Sequence, residues 1–160
     1  MTFAATKRAA ALAGLLAGLA LTPAAARGQA TCVGEPSGVK LKVVIESVRS
    51  DAGIMTATLY GDDPKKFLKR DGELKVWRVP ARSPVTDMCV WLPGPGTYAM
   101  AVYHDAKLAH RFTQGPFGMP TQDYGFSRNP RLFLGPPSLN AAKVVAGEGE
   151  TTTQIRLKYP

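Results

Sequence analysis

The side chains best suited to acid–base or metal chemistry lie around the end of the run TYAMAVYHD. His104 and Asp105 close this run, and His110 and Asp123 are the nearest further candidates. Adjacent residues of a strand point to opposite faces, so His104 and Asp105 do not share a ligand unless the backbone turns there. We therefore interpret His104 as a residue that bonds the backbone of the long loop, residues 106–137, near the end of the strand. The alternative is a metal-dependent envelope enzyme or metal-binding protein centred on His104, Asp105 and His110.

Other catalytic patterns find little support. The turn Gly94-Pro95-Gly96 belongs to no phosphate-binding pattern, and no serine lies in a GxSxG elbow. The chain has 2 histidines, which leave little scope for a Ser-His-Asp set. Asp87, Asp105 and Asp123 lack a spacing that would recommend them as a glycosidase carboxylate pair. We expect a non-catalytic protein without a metal or another cofactor.

The two cysteines predict one structural disulfide. Cys32 and Cys89 lack CxxC spacing, and in an oxidising compartment such an even pair is typical of a structural bridge. The bridge would tie an N-terminal tail, residues 31–38, to the strand before Trp91. A free buried Cys89 with an unpaired Cys32, or a disulfide between two chains, are the alternatives.

The N-terminus indicates export. Lys7 and Arg8 precede the uncharged run AAALAGLLAGLALTPAAA, whose apolar part is short for a membrane span. Small residues at cleavage spacing follow at 24–26 and 28–30, so the pattern predicts a secretory signal peptide over residues 1–30. An uncleaved anchor is the alternative. We expect a periplasmic or extracellular mature chain without a transmembrane segment.

The positive charge does not identify a binding partner. The formal charge is +8, and it falls to about +5 when Lys7, Arg8 and Arg27 leave with the signal peptide. The remaining basic residues are scattered apart from one cluster at 65–70, whereas nucleic-acid surfaces concentrate charge and interleave aromatic residues. We predict no nucleic-acid partner. A salt-sensitive attraction to an anionic envelope surface is the alternative to a solvated basic face.

Alternating hydrophobicity predicts about seven strands. The run 39–48 has period two, and 54–60 resumes alternation after a polar turn, which predicts a hairpin. Strand-like runs follow at 73–81 and 84–92. The run 97–105 is apolar on both faces, which is typical of a central strand covered on both sides. The last two runs flank Gly147-Glu148-Gly149-Glu150 as a predicted final hairpin.

These runs predict an all-β, antiparallel β-sandwich, built as one domain over residues 39–160. We expect it to be a monomer. The stretch 106–137 is a long ordered loop rich in Gly, Pro and aromatic residues, and loops of this length are often functional. It either covers the core or forms a ligand site with the adjacent strand. We expect its large apolar residues to need burial: Phe112, Phe117, Met119, Tyr124, Phe126, Leu132, Phe133 and Leu134.

Three motifs carry a family resemblance. GTYAMAVYHD (96–105), GMPTQDYGFS (118–127) and GPPS (135–138) resemble the exported bacterial family known as domain of unknown function 2141. The resemblance extends more weakly from Val39 to Leu157. It implies an immunoglobulin-like or transthyretin-like sandwich and an exported protein, and the family has no established activity.

The resemblance also implies a calcium-like loop that this chain lacks. Members often carry an acidic, Asn/Gly-rich run after the His-Asp pair, whereas this chain reads AKLAHRFTQ. Lys107, His110 and Arg111 stand where a hard cation requires oxygen ligands, so we expect no calcium binding.

A binding or interaction module is therefore the predicted function. Its partner would be an envelope protein, a peptide or a glycan. Aromatic and Arg side chains dominate recognition surfaces, so we place the candidate site around the His-Asp pair and the long loop. The candidate residues are Tyr103, His104, Asp105, Tyr124, Phe126, Arg128 and Arg131.

Overall fold

The computed structural model of this chain describes residues 1–2, 31–133 and 135–160. The signal peptide predicted over residues 1–30 lies outside these apart from its first two residues. The described chain forms strands in two sheets, so the all-β prediction is confirmed. None of the helices in these ranges is long and apolar enough to span a membrane. The elements are β1 (Val39–Glu46), β2 (Ile54–Tyr60), β3 (Lys75–Pro80), β4 (Val85–Trp91), β5 (Gly96–Asp105), a 3₁₀ turn (Pro116–Gly118), β6 (Tyr124–Phe126), α1 (Leu139–Ala142), β7 (Lys143–Ala146) and β8 (Gly149–Arg156).

The first sheet has the order β4-β1-β8, and the second has the order β3-β2-β5-β6 with β7 also paired to β5. All pairings of named strands are antiparallel except that of β1 with β8, which is parallel. The prediction of antiparallel pairing is therefore wrong for β1 with β8. Strand β6 was also not predicted, because it is only three residues long and lies inside the long loop.

Both predicted hairpins are wrong. Strands β1 and β2 lie in different sheets, and so do β7 and β8. The segment between β1 and β2 crosses from one sheet to the other, and Gly53 permits this with φ +71°. A Cβ atom on Gly53 would lie 2.1 Å from the carbonyl oxygen of Asp105, so only glycine fits there. Alternation indicates which face of a strand is buried, but it does not identify the neighbouring strand.

The core lies between the two sheets. Alternate residues of β1, among them Leu41 and Val43, face inward and are fully buried. Trp77 is also in the core, which identifies the Trp77 side of β3 as the buried one. Burial of each such side chain stabilises the fold by about 1.5–3 kcal/mol. The second sheet contributes Met55, Ala57, Leu59, Met100 and Val102 to the same cluster.

The N-terminal tail is bound to the edge of β4. Cys32 and Cys89 form the predicted disulfide. The Val33 amide donates to the Cys89 carbonyl at 2.8 Å, and the Trp91 amide donates to the Val33 carbonyl at 3.0 Å. The tail therefore adds a short parallel bridge to the first sheet.

We predict that the protein contains no alkylatable thiol, either native or denatured. The disulfide joins cysteines 57 residues apart, and closing a loop of this length stabilises the fold by roughly 3–4 kcal/mol. The variant Cys32→Ser/Cys89→Ser should lose stability of this order in denaturant titrations. Two free thiols in protein recovered from its exporting host, or equal stability of the variant, would contradict the prediction.

One buried hydroxyl provides a second stability test. Within 31–133 and 135–160, Thr56 Oγ1 is buried without a hydrogen-bond partner. Thr56→Val removes this unpaired group at nearly constant shape, so it should raise the free energy of unfolding by about 1 kcal/mol. Thr86→Val is the matched control. The Thr86 hydroxyl accepts from the Arg82 amide at 2.8 Å and donates to the Arg82 carbonyl at 2.9 Å, so its loss should destabilise. A loss of stability in Thr56→Val would contradict the assignment.

Candidate functional site

The candidate site lies on the outer face of the second sheet, along β5. The prediction that β5 is covered on both sides is confirmed, since Ala99 and Met100 point to opposite faces and both are buried. A second apolar cluster covers the outer face. Its buried members are Tyr60, Phe67, Ala99, Phe126, Leu139 and Ala142.

Tyr60 anchors one side of this cluster. Its ring meets Phe67 edge to face with the ring centroids 5.3 Å apart. Burial raises the pKa of the Tyr60 phenol above its ordinary value, and the negative charge of Glu73 raises it further. The phenol therefore stays protonated and acts as a packing group rather than as a base.

Four aromatic rings form a continuous chain beside this cluster. The centroid of Phe112 lies 5.5 Å from that of Tyr103 and 6.3 Å from that of Tyr124, and Tyr124 lies 5.9 Å from Phe126. All three contacts are edge to face, a geometry that contributes about 0.5–1.5 kcal/mol per pair beyond area burial. Phe126 is buried, whereas Tyr103, Phe112 and Tyr124 keep part of their surface in water. We call these three rings the aromatic surface.

Strand β6 holds the aromatic surface in place. Tyr124 pairs with Tyr103 across the sheet, and its backbone also exchanges hydrogen bonds of 3.0 and 2.7 Å with Lys158. The next residue, Gly125, lies against the first sheet, because a Cβ atom there would be 2.6 Å from Ile155 Cγ2. The hydroxyl of Ser127 accepts from the Met100 amide at 2.9 Å. β6 therefore connects the two sheets.

His104 faces inward and bonds backbone, but only its main chain bonds the long loop as expected, whereas its ring bonds another segment. Its Nε2 lies 2.7 Å from the carbonyl oxygen of Ala52, and because a carbonyl only accepts, Nε2 carries the proton. The His104 amide donates to the carbonyl of Asp123 at 2.8 Å. The ring therefore bonds the crossover between β1 and β2, and its main chain bonds the long loop.

Asp105 is fully buried and organises the start of the long loop. Its carboxylate accepts from the amides of Ala109 at 2.9 Å and His110 at 2.6 Å. Leu108 and His110 both have φ near +55°, a conformation that L-residues rarely adopt. The Asp105 carboxylate thus supports a loop whose backbone is strained.

Asp123 is buried and paired with Arg49. The Arg49 Nε donates to the carboxylate at 2.8 Å, and a second guanidinium nitrogen bonds its other oxygen. Hydrogen bonding to Asp123 raises the pKa of the Arg49 guanidinium further above its ordinary value. The guanidinium also lies over the ring of Tyr159, 4.3 Å from its centroid.

These contacts bear on the metal hypothesis. The described residues contain no group of three or more His, Cys, Asp or Glu side chains placed to hold a metal ion. His104, Asp105 and His110 therefore do not converge. The His104 ring and the Asp105 carboxylate are both committed to backbone hydrogen bonds.

The two candidate arginines have different neighbours. Arg128 is exposed beside Asn129 and lines a shallow depression with residues 152–154 of β8. Arg131 is exposed next to Leu132, which packs against the second apolar cluster. Only Arg131 is therefore adjacent in sequence to a residue that covers the outer face.

The expected burial of the long loop's apolar residues is wrong for several of them. Phe112, Phe117, Met119 and Phe133 are exposed, with 41, 103, 62 and 87% of their surface accessible. Tyr124, Phe126 and Leu132 are buried or partly buried, and Leu134 lies outside the described residues. The backbone hydrogen bonds of 113–121 hold that part of the loop away from the core.

A protein-family model matches the part of the chain that forms the two sheets. The model of a family described as "Uncharacterized protein conserved in bacteria (DUF2141)" matches residues 43–154, from within β1 to within β8. The chain belongs to this family. This membership in DUF2141 confirms the resemblance, and the matched residues include those of the aromatic surface. Searches of curated proteins and of solved structures give no match for this DUF2141 protein.

Sequence reasoning missed two residues of the candidate site. Phe112 was noted only as an apolar residue that needs burial, although it joins Tyr103 to Tyr124. Arg49 was counted among scattered basic residues, although it pairs with Asp123 from 74 positions away. No local pattern reveals such a pairing, because the partner comes from another part of the chain.

We predict that Asp105→Asn lowers the free energy of unfolding by roughly 1.5–3 kcal/mol, since asparagine can accept only one of the two backbone hydrogen bonds that the carboxylate accepts, and only through a neutral oxygen. Amide exchange at Ala109 and His110 should accelerate in the variant. Asp87→Asn, an exposed residue of β4, is the matched control and should change neither quantity. Unchanged stability and exchange in Asp105→Asn would show that the carboxylate does not hold the loop.

Proposed function

We propose that this DUF2141 protein is an exported, non-catalytic binding module of the cell envelope, and that the aromatic surface is its recognition site. The observation that carries the proposal is the chain of edge-to-face contacts through Tyr103, Phe112 and Tyr124. These contacts fix three rings that remain partly open to water. Rigid aromatic side chains bind with little loss of conformational entropy.

The surroundings of the aromatic surface support binding rather than catalysis. Ala101 lies between the outer-face positions of Tyr103 and Ala99, and its small side chain packs against the second apolar cluster. Tyr124 is anchored to both sheets. His104 and Asp105, which we first placed in the site, bond backbone atoms and are buried, so we leave them out of the contact surface.

Arg131 is the arginine that we include in the proposed site. It is exposed and directly precedes Leu132, which packs against the second apolar cluster. Tyr and Arg are enriched at the centres of recognition surfaces. The ligand that suits partly exposed aromatic rings together with an arginine is a peptide or a glycan of the envelope.

The proposed compartment follows from two independent features. A basic n-region, a short apolar run and small residues at cleavage spacing support export. The Cys32–Cys89 disulfide supports an oxidising space, since such bridges persist outside the cytosol. Together they favour a periplasmic or extracellular location.

The test is a screen of envelope peptides and glycans, followed by titration of the strongest hit. We expect Tyr103→Ala and Tyr124→Ala each to weaken binding by about tenfold or more, the scale of an interface hot spot. Val145→Ala is the matched control, because Val145 is an exposed apolar residue of β7 in the same sheet. Hits that both Tyr variants bind as tightly as the parent would refute the site. Turnover of a hit by the parent protein would refute a purely binding role.

A further inference from the structure

A small hairpin projects from the long loop. The Gly115 amide donates to the Met119 carbonyl at 2.8 Å, and the Thr121 amide donates to the Thr113 carbonyl at 3.1 Å. Side chains reinforce it, since Gln122 Oε1 accepts from the Thr113 amide at 2.8 Å. We call residues 113–121 the tip.

The tip presents two apolar side chains to solvent. Phe117 is fully exposed and Met119 is 62% exposed. Phe117 also has φ +61°, a left-handed conformation that is unfavourable for an L-residue. Pro116 and Pro120 restrict the backbone on either side. An exposed aromatic residue held in a strained conformation by a hydrogen-bonded frame indicates a functional constraint.

The segment that carries the tip is basic. The segment 106–133 carries four Lys and Arg residues, and its one acidic residue, Asp123, is buried and paired with Arg49. Arg111 lies at the base of the tip, where Gln122 Nε2 donates to its carbonyl at 3.3 Å. The other basic residues are Lys107, Arg128 and Arg131. The segment therefore offers positive charge without a competing exposed carboxylate.

We propose that the tip docks on an anionic lipid bilayer, with Phe117 and Met119 inserted at the interface and basic residues of the segment near the head groups. Apolar side chains combined with basic residues are the combination that holds peripheral proteins on anionic membranes. A folded protein partner fits less well, because two projecting side chains cover far less than the roughly 800 Å² per partner of a stable interface. The proposal is independent of the aromatic surface.

The test compares purified protein on phosphatidylcholine vesicles with vesicles that also contain phosphatidylglycerol. We expect cosedimentation with the anionic vesicles, weakened by salt because the head-group contacts are screened. Phe117→Ser/Met119→Ser should reduce the partition coefficient by about tenfold or more, since burial of both side chains is lost. Any contribution of residues 1–30 cancels, because parent and variants share the same N-terminus.

Matched controls separate the tip from general surface effects. Val145→Ser removes an exposed apolar residue of β7 and should leave binding unchanged. Lys107→Gln/Arg111→Gln should weaken binding to anionic vesicles, whereas Lys65→Gln/Lys66→Gln should not.

A tryptophan introduced at the tip reports insertion directly. Trp77 and Trp91 also emit, so the parent is the reference. In the Phe117→Trp variant, the emission in excess of the parent's should shift to shorter wavelength on anionic vesicles and be quenched by brominated lipid. The proposal is overturned if the parent shows no preference for anionic vesicles, if the tip variant binds like the parent, or if the emission of the Phe117→Trp variant does not change. Capture of a protein by the tip without vesicle binding would overturn it as well.

Discussion

Strand β5 carries apolar side chains on both faces, and the arrangement of the rest of the chain follows from the need to keep both away from water. Met100 and Val102 face the first sheet and belong to the main core. Ala99 and Ala101 face outward, where the described residues form no third sheet to cover them. The cover comes from the segments that carry Phe67 and Phe126 and from α1. Burial of apolar area is the dominant favourable term in folding, so packing against the outer face of β5 stabilises these segments.

This requirement also places the two surfaces for which we propose a binding role. After β5 the chain returns twice along the same edge of that strand, first as β6 and then as β7. β6 brings Tyr124 beside Tyr103, and Phe112 closes the gap between them. The segment between Phe112 and β6 does not take part in covering the outer face, and its residues 113–121 form the projecting tip. The aromatic surface and the tip are thus two consequences of one long connection on a rigid strand.

The sequence predicted the parts of the fold that depend on local pattern. Period-two alternation located β1 and β2, the two apolar faces of β5 predicted its central position, and the even cysteine pair predicted the disulfide. It did not predict which strands pair, because alternation encodes the buried face and not the neighbour. It also misjudged Phe117, since an apolar residue in an ordered loop is expected inside and only the hydrogen-bonded frame of the tip holds it out. The Arg49–Asp123 pair can be identified only from the fold, because its two residues are 74 positions apart in the sequence.

The central claim is that the long loop is preorganised on β5 through Phe112 before any ligand binds. Nuclear Overhauser effects between the ring protons of Phe112 and those of Tyr103 and Tyr124, measured in the free protein, test it most directly. The centroid distances of 5.5 and 6.3 Å predict clear cross-peaks to both tyrosines, together with a slowly exchanging Tyr124 amide bonded to Lys158. A Phe112 ring that shows neither cross-peak in the free protein would contradict the account.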